Sequence, residues 1–117
     1  MRKPPLHKSF MHAFNGLFFL MRGERNFLIE LGGLLANLLF IGFFRPQPIE
    51  VALLIASALM VLVAEALNTC IEKICDLVHP EFDPRVGKIK DMASGAVSLA
   101  VFAALIVAAI IYPKYIF

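Results

Sequence analysis

The stretch AEALNTCIEKICDLVHPEFDPRVGKIKD, from Ala64 to Asp91, organises the rest of the chain, because it gathers acids, an amide and lysines where two long apolar segments meet. Four of its polar residues follow at intervals of three, four and four: Glu65, Asn68, Glu72 and Asp76. On a helix that turns about 100° per residue, these side chains share one narrow face. Like charges so placed repel one another, and more strongly near lipid than in water. We therefore expect a bound divalent cation between them.

Apolar residues make up 60% of the 117-residue chain. This share is far above that of a soluble protein and predicts a membrane protein with a single domain over residues 1–117. Long apolar segments run over residues 27–44, 49–67 and 92–112. Each is near the roughly 20 residues that a helix needs to cross a hydrocarbon core. The sequence therefore predicts an all-α membrane protein with three transmembrane helices.

Ahead of the first span, apolar residues recur at helical spacing over residues 6–21, and Lys8, His12 and Asn15 fall on the opposite face. This pattern predicts an amphipathic helix that is too polar to span and lies along the membrane surface. Two roles remain open for this surface helix. It is either a simple membrane anchor or one wall of an active site.

The basic residues are unevenly divided between the two sides of the predicted spans. One side carries Arg2, Lys3, Lys8, Arg22 and Arg25 before the first span, and Lys73, Arg85, Lys88 and Lys90 between the second and third. The other side has only Arg45 and Lys114. Because Lys and Arg are in excess in cytoplasmic loops, the N-terminus and the acidic stretch are expected in the cytoplasm and the C-terminus outside.

Prolines mark both loops between the spans. Pro46 and Pro48 predict a tight turn after the first span, since two prolines in so short a stretch cannot continue a helix. Asp83 followed by Pro84 predicts an N-cap and the first residue of a new helix. We expect the small and polar face of that helix to approach the acidic face closely; it comprises Gly87, Asp91, Ser94, Gly95 and Ser98.

The first span also carries polar residues. A carboxylate at the centre of a span costs on the order of 2.5–3.5 kcal/mol, so Glu30 is expected to face protein or water. For Asn37 the sequence favours a hydrogen bond between helices. Glu24, at the cytoplasmic edge and level with the acidic face, is favoured as a functional residue.

Phosphoryl transfer from a nucleotide needs a divalent cation, a cationic side chain on the phosphates and a base near the accepting hydroxyl. Glu24 and Glu72 on different helices, with Lys90 near the rim, supply groups of these kinds. The chain has no P-loop and no kinase glycine-rich loop. Two other interpretations stand beside a kinase. One is a non-catalytic small transporter or channel subunit that binds cations or protons at these acids, and the other is a purely structural contact between helices.

A family resemblance favours the kinase. The run from Glu65 to Glu72, EALNTCIE, followed by Asp76 and later by KDMASGAV from Lys90, resembles the signature of the prokaryotic diacylglycerol kinases. The signature has alanine where this chain has Cys70. The GERNF segment around Glu24 is more similar to the undecaprenol kinase branch, in which histidine is usual at the position of Glu30. The resemblance covers about residue 8 to the C-terminus.

The resemblance implies an ATP- and Mg²⁺-dependent kinase of the bacterial inner membrane, homotrimeric, with active sites between neighbouring protomers. The implied lipid substrate is undecaprenol or diacylglycerol, and phosphorylation would feed phospholipid synthesis or recycling of a cell-envelope lipid carrier. Nucleic acid is not an expected partner.

The resemblance also implies roles for particular residues. Glu65 corresponds to the general base, and Glu24 and Glu72 to the Mg²⁺ ligands. Asn68 corresponds to a residue that orients this cluster. The remaining matched positions correspond to nucleotide contacts: Asp76, Glu81, Asp83, Lys90 and Asp91.

Overall fold

A computed structural model describes residues 3–117, so Arg2 of the basic N-terminal segment lies outside the described residues. Within residues 3–117 the chain forms four helices and no strand: α1 (Leu6–Gly23), α2 (Arg25–Phe44), α3 (Pro48–Val78) and α4 (Pro84–Ile116). Three helices in this range, α2, α3 and α4, are long and apolar enough to cross a membrane. The predicted all-α membrane fold is confirmed.

The second and third spans belong to helices longer than a bilayer requires. α3 has 31 residues and α4 has 33, whereas about 20 suffice to cross the hydrocarbon core. Apart from Glu50 and Ser57, the polar residues of α3 lie from Glu65 onward, so its last turns extend beyond the apolar part. α1 ends at Gly23, two residues after the predicted Met21, and buries none of its side chains.

The boundaries of the helices have local causes. Glu24 alone separates α1 from α2, with an extended backbone at φ −115° and ψ 105°. Arg45 ends α2 in the left-handed region at φ 49°, a conformation common just after a helix. Asp83 caps α4 through a hydrogen bond from the Arg85 backbone N–H, and Pro84 is the first helical residue, as predicted.

α3 is the central helix and packs against both α2 and α4. The antiparallel order creates two ends. We call the end with Glu24, Glu65, Glu72 and residues 79–83 the acidic end, and the end with the turn at residues 45–47 the turn end. The apolar core lies toward the turn end, where Phe40, Leu54 and Ile111 are buried and Phe40 stacks on Tyr112 with ring centroids 4.1 Å apart.

Glu50 at the turn end is buried, although it lies only two residues after Pro48, in the first turn of α3. Its carboxylate accepts hydrogen bonds from Lys114 Nζ (2.6 Å), from the Tyr115 hydroxyl and from the Gln47 backbone N–H (3.1 Å). These three donors replace the water that the carboxylate loses on burial.

Two predictions about helix contacts have different outcomes. Asn37 bridges helices as predicted, because its amide donates to the Leu54 carbonyl at 3.1 Å and accepts from the Tyr112 hydroxyl. The small and polar face of α4 does not approach the acidic face in this chain. Ser94, Gly95 and Ser98 are exposed, and α4 instead buries Ala93, Val97 and Ile111. The apolar face of α4 is the face that α3 covers, which leaves the polar face uncovered.

Candidate active site

The predicted face of α3 is buried where it passes α2. Glu65, Asn68 and Thr69 are each at most 7% exposed, and Glu72 is half-buried one turn further along. The charged groups that act on the Glu65 carboxylate are those of Glu30 from α2 and Glu72, both of which repel a negative charge there. No hydrogen-bond donor among residues 3–117 reaches Glu65. Within the described residues, the buried Glu65 carboxylate therefore has only like charges as its charged neighbours.

Asn68 binds Glu72 within this cluster and is itself incompletely satisfied. Its Nδ2 donates to Glu72 Oε1 at 3.2 Å, which fixes the orientation of the Glu72 carboxylate. Its Oδ1 is buried and accepts no hydrogen bond from the described residues. A buried oxygen without a partner costs free energy, so it is expected to meet a donor or a cation in the working protein.

The residues present fit a magnesium ion. Mg²⁺ binds oxygen ligands and commonly takes only one or two carboxylates, with water and substrate phosphates completing its octahedron. Glu24, Glu72 and the unpartnered Asn68 Oδ1 are oxygen ligands of this kind. Over the part of the chain that is described, no three His, Cys, Asp or Glu side chains converge on one point.

Glu24 lies in the joint between α1 and α2, and its side chain is 27% exposed. Its partner is Lys73 of α3, whose Nζ lies 3.2 Å from Glu24 Oε1. Lys73 directly follows Glu72 in α3, so this ion pair holds the joint between α1 and α2 against the turn of α3 that carries Glu72. A cavity of about 540 Å³ opens beside it, between α1 and α3.

A second cleft, of about 320 Å³, lies where α3 passes into α4. Asp76 and Lys90 form one of its walls, and Lys90 Nζ donates to Asp76 Oδ1 at 2.6 Å. Glu81 and Asp83 line the other side. The cleft thus brings together four of the predicted nucleotide contacts, with one cation among three acids.

The loop acids differ in how firmly they are held. The guanidinium of Arg85 donates to Asp83 Oδ2 at 2.7 Å, and this bond, together with the Arg85 backbone N–H at 2.8 Å, lowers the pKa of the Asp83 carboxyl. His79 Nε2 is 3.3 Å from the same carboxylate. Glu81, in contrast, is 77% exposed, and its Oε2 lies 3.8 Å from His79 Nδ1, a longer contact than those of Asp83. Asp83 is therefore a structural cap as well as a predicted nucleotide contact.

Asp91 is a predicted site residue whose side chain makes no polar contact with the other site residues within the described chain. It is exposed on α4, and no ion pair or hydrogen bond joins its side chain to residues 3–117. It lies on the uncovered polar face, next to Ser94 and Gly95. The predicted nucleotide contact of Asp91 therefore stays a prediction.

Three residues near the site escape the sequence-based prediction: Lys73, His79 and Arg85. Lys73 follows Glu72, and a helix turns it about 100° away from the acidic face, so the pattern gives no reason to include it. Only the position of Glu24, in the joint between α1 and α2, brings Lys73 into the site. Arg85 and His79 lie two and four residues from Asp83, and that short spacing is the signal that was available for them.

The chain matches a known family over most of its length. The model of the family described as prokaryotic diacylglycerol kinase matches residues 11–112. A diacylglycerol kinase from Synechocystis is 35% identical over 105 residues, which are 89% of this chain and 60% of that protein. The undecaprenol kinase of Bacillus subtilis is 34% identical over 113 residues, which are 92% of this chain and 88% of that protein.

A shorter match has higher identity. The diacylglycerol kinase of Escherichia coli K12 is 41% identical over 54 residues, which are 46% of this chain and 44% of that protein. The chain thus spans less than two thirds of the Synechocystis and Escherichia coli relatives, but most of the Bacillus subtilis one.

Proposed function

Because this chain belongs to the prokaryotic diacylglycerol kinase family, we propose that it is a membrane lipid kinase, which transfers the γ-phosphate of ATP to the hydroxyl of undecaprenol or diacylglycerol. The observation that supports this best is a contrast at the acidic end. Glu65 is buried there with only like charges as its charged neighbours, and the adjacent cleft carries one lysine. The first suits a base and a metal site, and the second suits a nucleotide phosphate.

In the proposed reaction Glu65 accepts the proton of the lipid hydroxyl. The oxygen so activated forms a bond to the γ-phosphorus while the bond from that phosphorus to the β-phosphate oxygen breaks, releasing ADP. Burial suits Glu65 to this role, because a carboxylate without hydrogen-bond donors has an accepting oxygen free for the hydroxyl.

The other site residues bind and orient. Glu24 and Glu72 would hold Mg²⁺, which supplies positive charge to the phosphates, and Asn68 keeps Glu72 in position through its hydrogen bond. Lys90 would exchange its bond to Asp76 for a phosphate oxygen. The remaining proposed nucleotide contacts are Asp76, Glu81, Asp83 and Asp91.

We also propose that the working protein is an oligomer, and specifically the homotrimer that the family resemblance implies. Two observations support the oligomer: the polar face of α4 is uncovered, and Asp91 on it has no partner within residues 3–117. Crosslinking in native membranes, followed by mass determination in detergent, tests the number of subunits.

The protein is a membrane protein, and we propose the bacterial inner membrane with the acidic end in the cytoplasm. The excess of Lys and Arg at this end supports the orientation. Single cysteines placed at Lys88 and at Arg45, in a chain whose own cysteines are replaced, should react with an impermeant reagent from opposite sides.

The proposed activity is tested by incubating purified protein with labelled ATP and vesicles that each contain one lipid: diacylglycerol, undecaprenol, ceramide or monoacylglycerol. We expect Mg²⁺-dependent labelling of diacylglycerol or undecaprenol. Absence of labelling in all four would overturn the proposal. The alternative of a transporter or channel subunit has no support from the relatives, which are named as kinases.

A further inference from the structure

The Lys73–Glu24 ion pair joins the α1–α2 joint to α3 at the proposed reaction centre, and the resemblance assigns no role to Lys73. We propose that Lys73 is a mobile phosphate-binding residue: it pairs with Glu24 while the metal site is empty and turns to the terminal phosphate once a metal ion occupies Glu24. This inference rests on the proposed kinase function.

The first support is the position of the ammonium group. Lys73 Nζ lies 3.2 Å from a carboxylate that is proposed to bind metal. One carboxylate oxygen cannot keep a close ammonium and take up Mg²⁺ without a large repulsion between the two cations. Metal binding therefore releases Lys73 from Glu24.

The second support is the freedom of the Lys73 side chain. It is 70% exposed, so water and not packing surrounds most of it. It projects beside the cavity of about 540 Å³ between α1 and α3, whose lining also includes Thr69, Phe19 and Leu20. A released Lys73 has room to move within this cavity without disturbing the packed helices.

The third support is the charge balance at the acidic end. Glu30 and Glu72 both repel the Glu65 carboxylate, and none of the three acids forms an ion pair within residues 3–117. A transferring phosphate brings further negative charge to this region. Lys90 is paired with Asp76 at the loop cleft, and Lys73 is the other lysine at this end that is paired with a carboxylate within residues 3–117.

Two phosphates are candidates for this ligand: the γ-phosphate of ATP and the phosphate monoester of the lipid product. Binding measurements on the Lys73→Met variant distinguish them. We expect Lys73→Met to weaken binding of a non-hydrolysable ATP analogue by about tenfold, as when one charge-assisted contact is lost, and to leave ADP binding within about twofold. If the lipid phosphate is the ligand, binding of phosphatidate vesicles weakens instead and ATP binding does not.

Lys73→Met should have the opposite effect on metal binding, which it should strengthen, to the effect it has on binding of the ATP analogue. Without nucleotide, Lys73→Met removes the competitor for Glu24, so Mn²⁺, counted by its paramagnetic resonance signal, should bind up to about fivefold more tightly. Lys73→Arg should restore the preference for ATP over ADP. Lys88→Met, which removes one exposed charge from α4 at the same end, should alter neither measurement.

The inference is overturned if Lys73→Met weakens ATP and ADP equally, or if it weakens Mn²⁺ binding, since either result indicates a structural clamp. Failure of the proposed function looks different, because the wild-type protein then labels no lipid. If wild type labels a lipid and Lys73→Met binds ATP, ADP and phosphatidate unchanged, only the role of Lys73 is lost.

Discussion

The two ends of the helix bundle each bury a glutamate, but the groups that surround the two carboxylates are of opposite kinds. Glu50 at the turn end is 6% exposed and Glu65 at the acidic end is 7% exposed. Glu50 has a lysine, a tyrosine hydroxyl and a backbone N–H as partners. Glu65 has the carboxylates of Glu30 and Glu72 as its charged neighbours. Burial alone therefore does not distinguish a structural acid from a functional one, but the partners do.

The difference has a physical meaning. A buried carboxylate is tolerated when donors replace its lost hydration, and the turn end supplies these donors within one chain. The acidic end leaves the compensation to groups from outside the described chain, such as a metal ion, a substrate hydroxyl or a neighbouring subunit. The turn end thus contributes stability, and the acidic end has the unpaired buried carboxylate that the proposed binding site requires.

The largest effect is expected from Glu65→Gln. Loss of a general base typically reduces turnover by about 10²–10⁴-fold, and we expect a decrease of that size in lipid phosphorylation with labelled ATP in micelles. The thermal midpoint in detergent should stay the same or rise, because the variant removes a negative charge from a cluster of like charges. A turnover close to that of wild type would exclude Glu65 as the base.

The next effect distinguishes two asparagines at opposite ends of the bundle, Asn68 and Asn37. Asn68→Ala removes the group that orients Glu72 and should weaken Mn²⁺ binding and activity by about 10–100-fold, as is typical for residues that support a metal ligand. Asn37→Ala removes the bonds to Leu54 and Tyr112 and should lower only the thermal midpoint. Equal effects of the two variants on Mn²⁺ affinity would contradict the division between the ends.

A third, smaller effect is expected at the turn end. Glu50→Ala leaves Lys114 and Tyr115 without their acceptor, and we expect the thermal midpoint in detergent to fall by several degrees. The KM for ATP and the turnover per folded molecule should not change. A double-mutant cycle with Lys114→Ala should show that the two changes are not additive, because they break the same bond. A raised KM would mean that the turn end also shapes the site.

The smallest effect concerns the loop at the acidic end. Asp83 has a lowered pKa in the folded protein, so it contributes stability above the unfolded pKa of about 3.9, and this contribution is lost as the pH falls through the folded value. Asp83→Asn keeps a capping side chain but loses the charge, and should lower the thermal midpoint at pH 7 by at most about 5 °C. The difference from wild type should shrink on acidification. A difference independent of pH would assign the effect to the cap and not to the pairing with Arg85.

The sequence by itself determines the helices and the angle at which each side chain leaves its helix. Pro46, Pro48 and the Asp83–Pro84 pair end and begin helices for local steric reasons, and the structure has these boundaries where they are predicted. The spacing of Glu65, Asn68 and Glu72 likewise fixes a shared face, because a helix repeats every 3.6 residues. These features need no information from distant parts of the chain.

Only the tertiary structure decides which groups meet across helices. Glu50 pairs with a lysine 64 residues away, and nothing in the local pattern around Glu50 predicts its burial. Lys73 lies off the acidic face of its own helix and pairs with Glu24. The polar face of α4 stays uncovered, although its composition suggests a close contact. Periodicity fixes a direction around one helix axis. The depth and rotation of one helix against another depend on how all the side chains between them pack, and this decides which acid finds a cation and which does not.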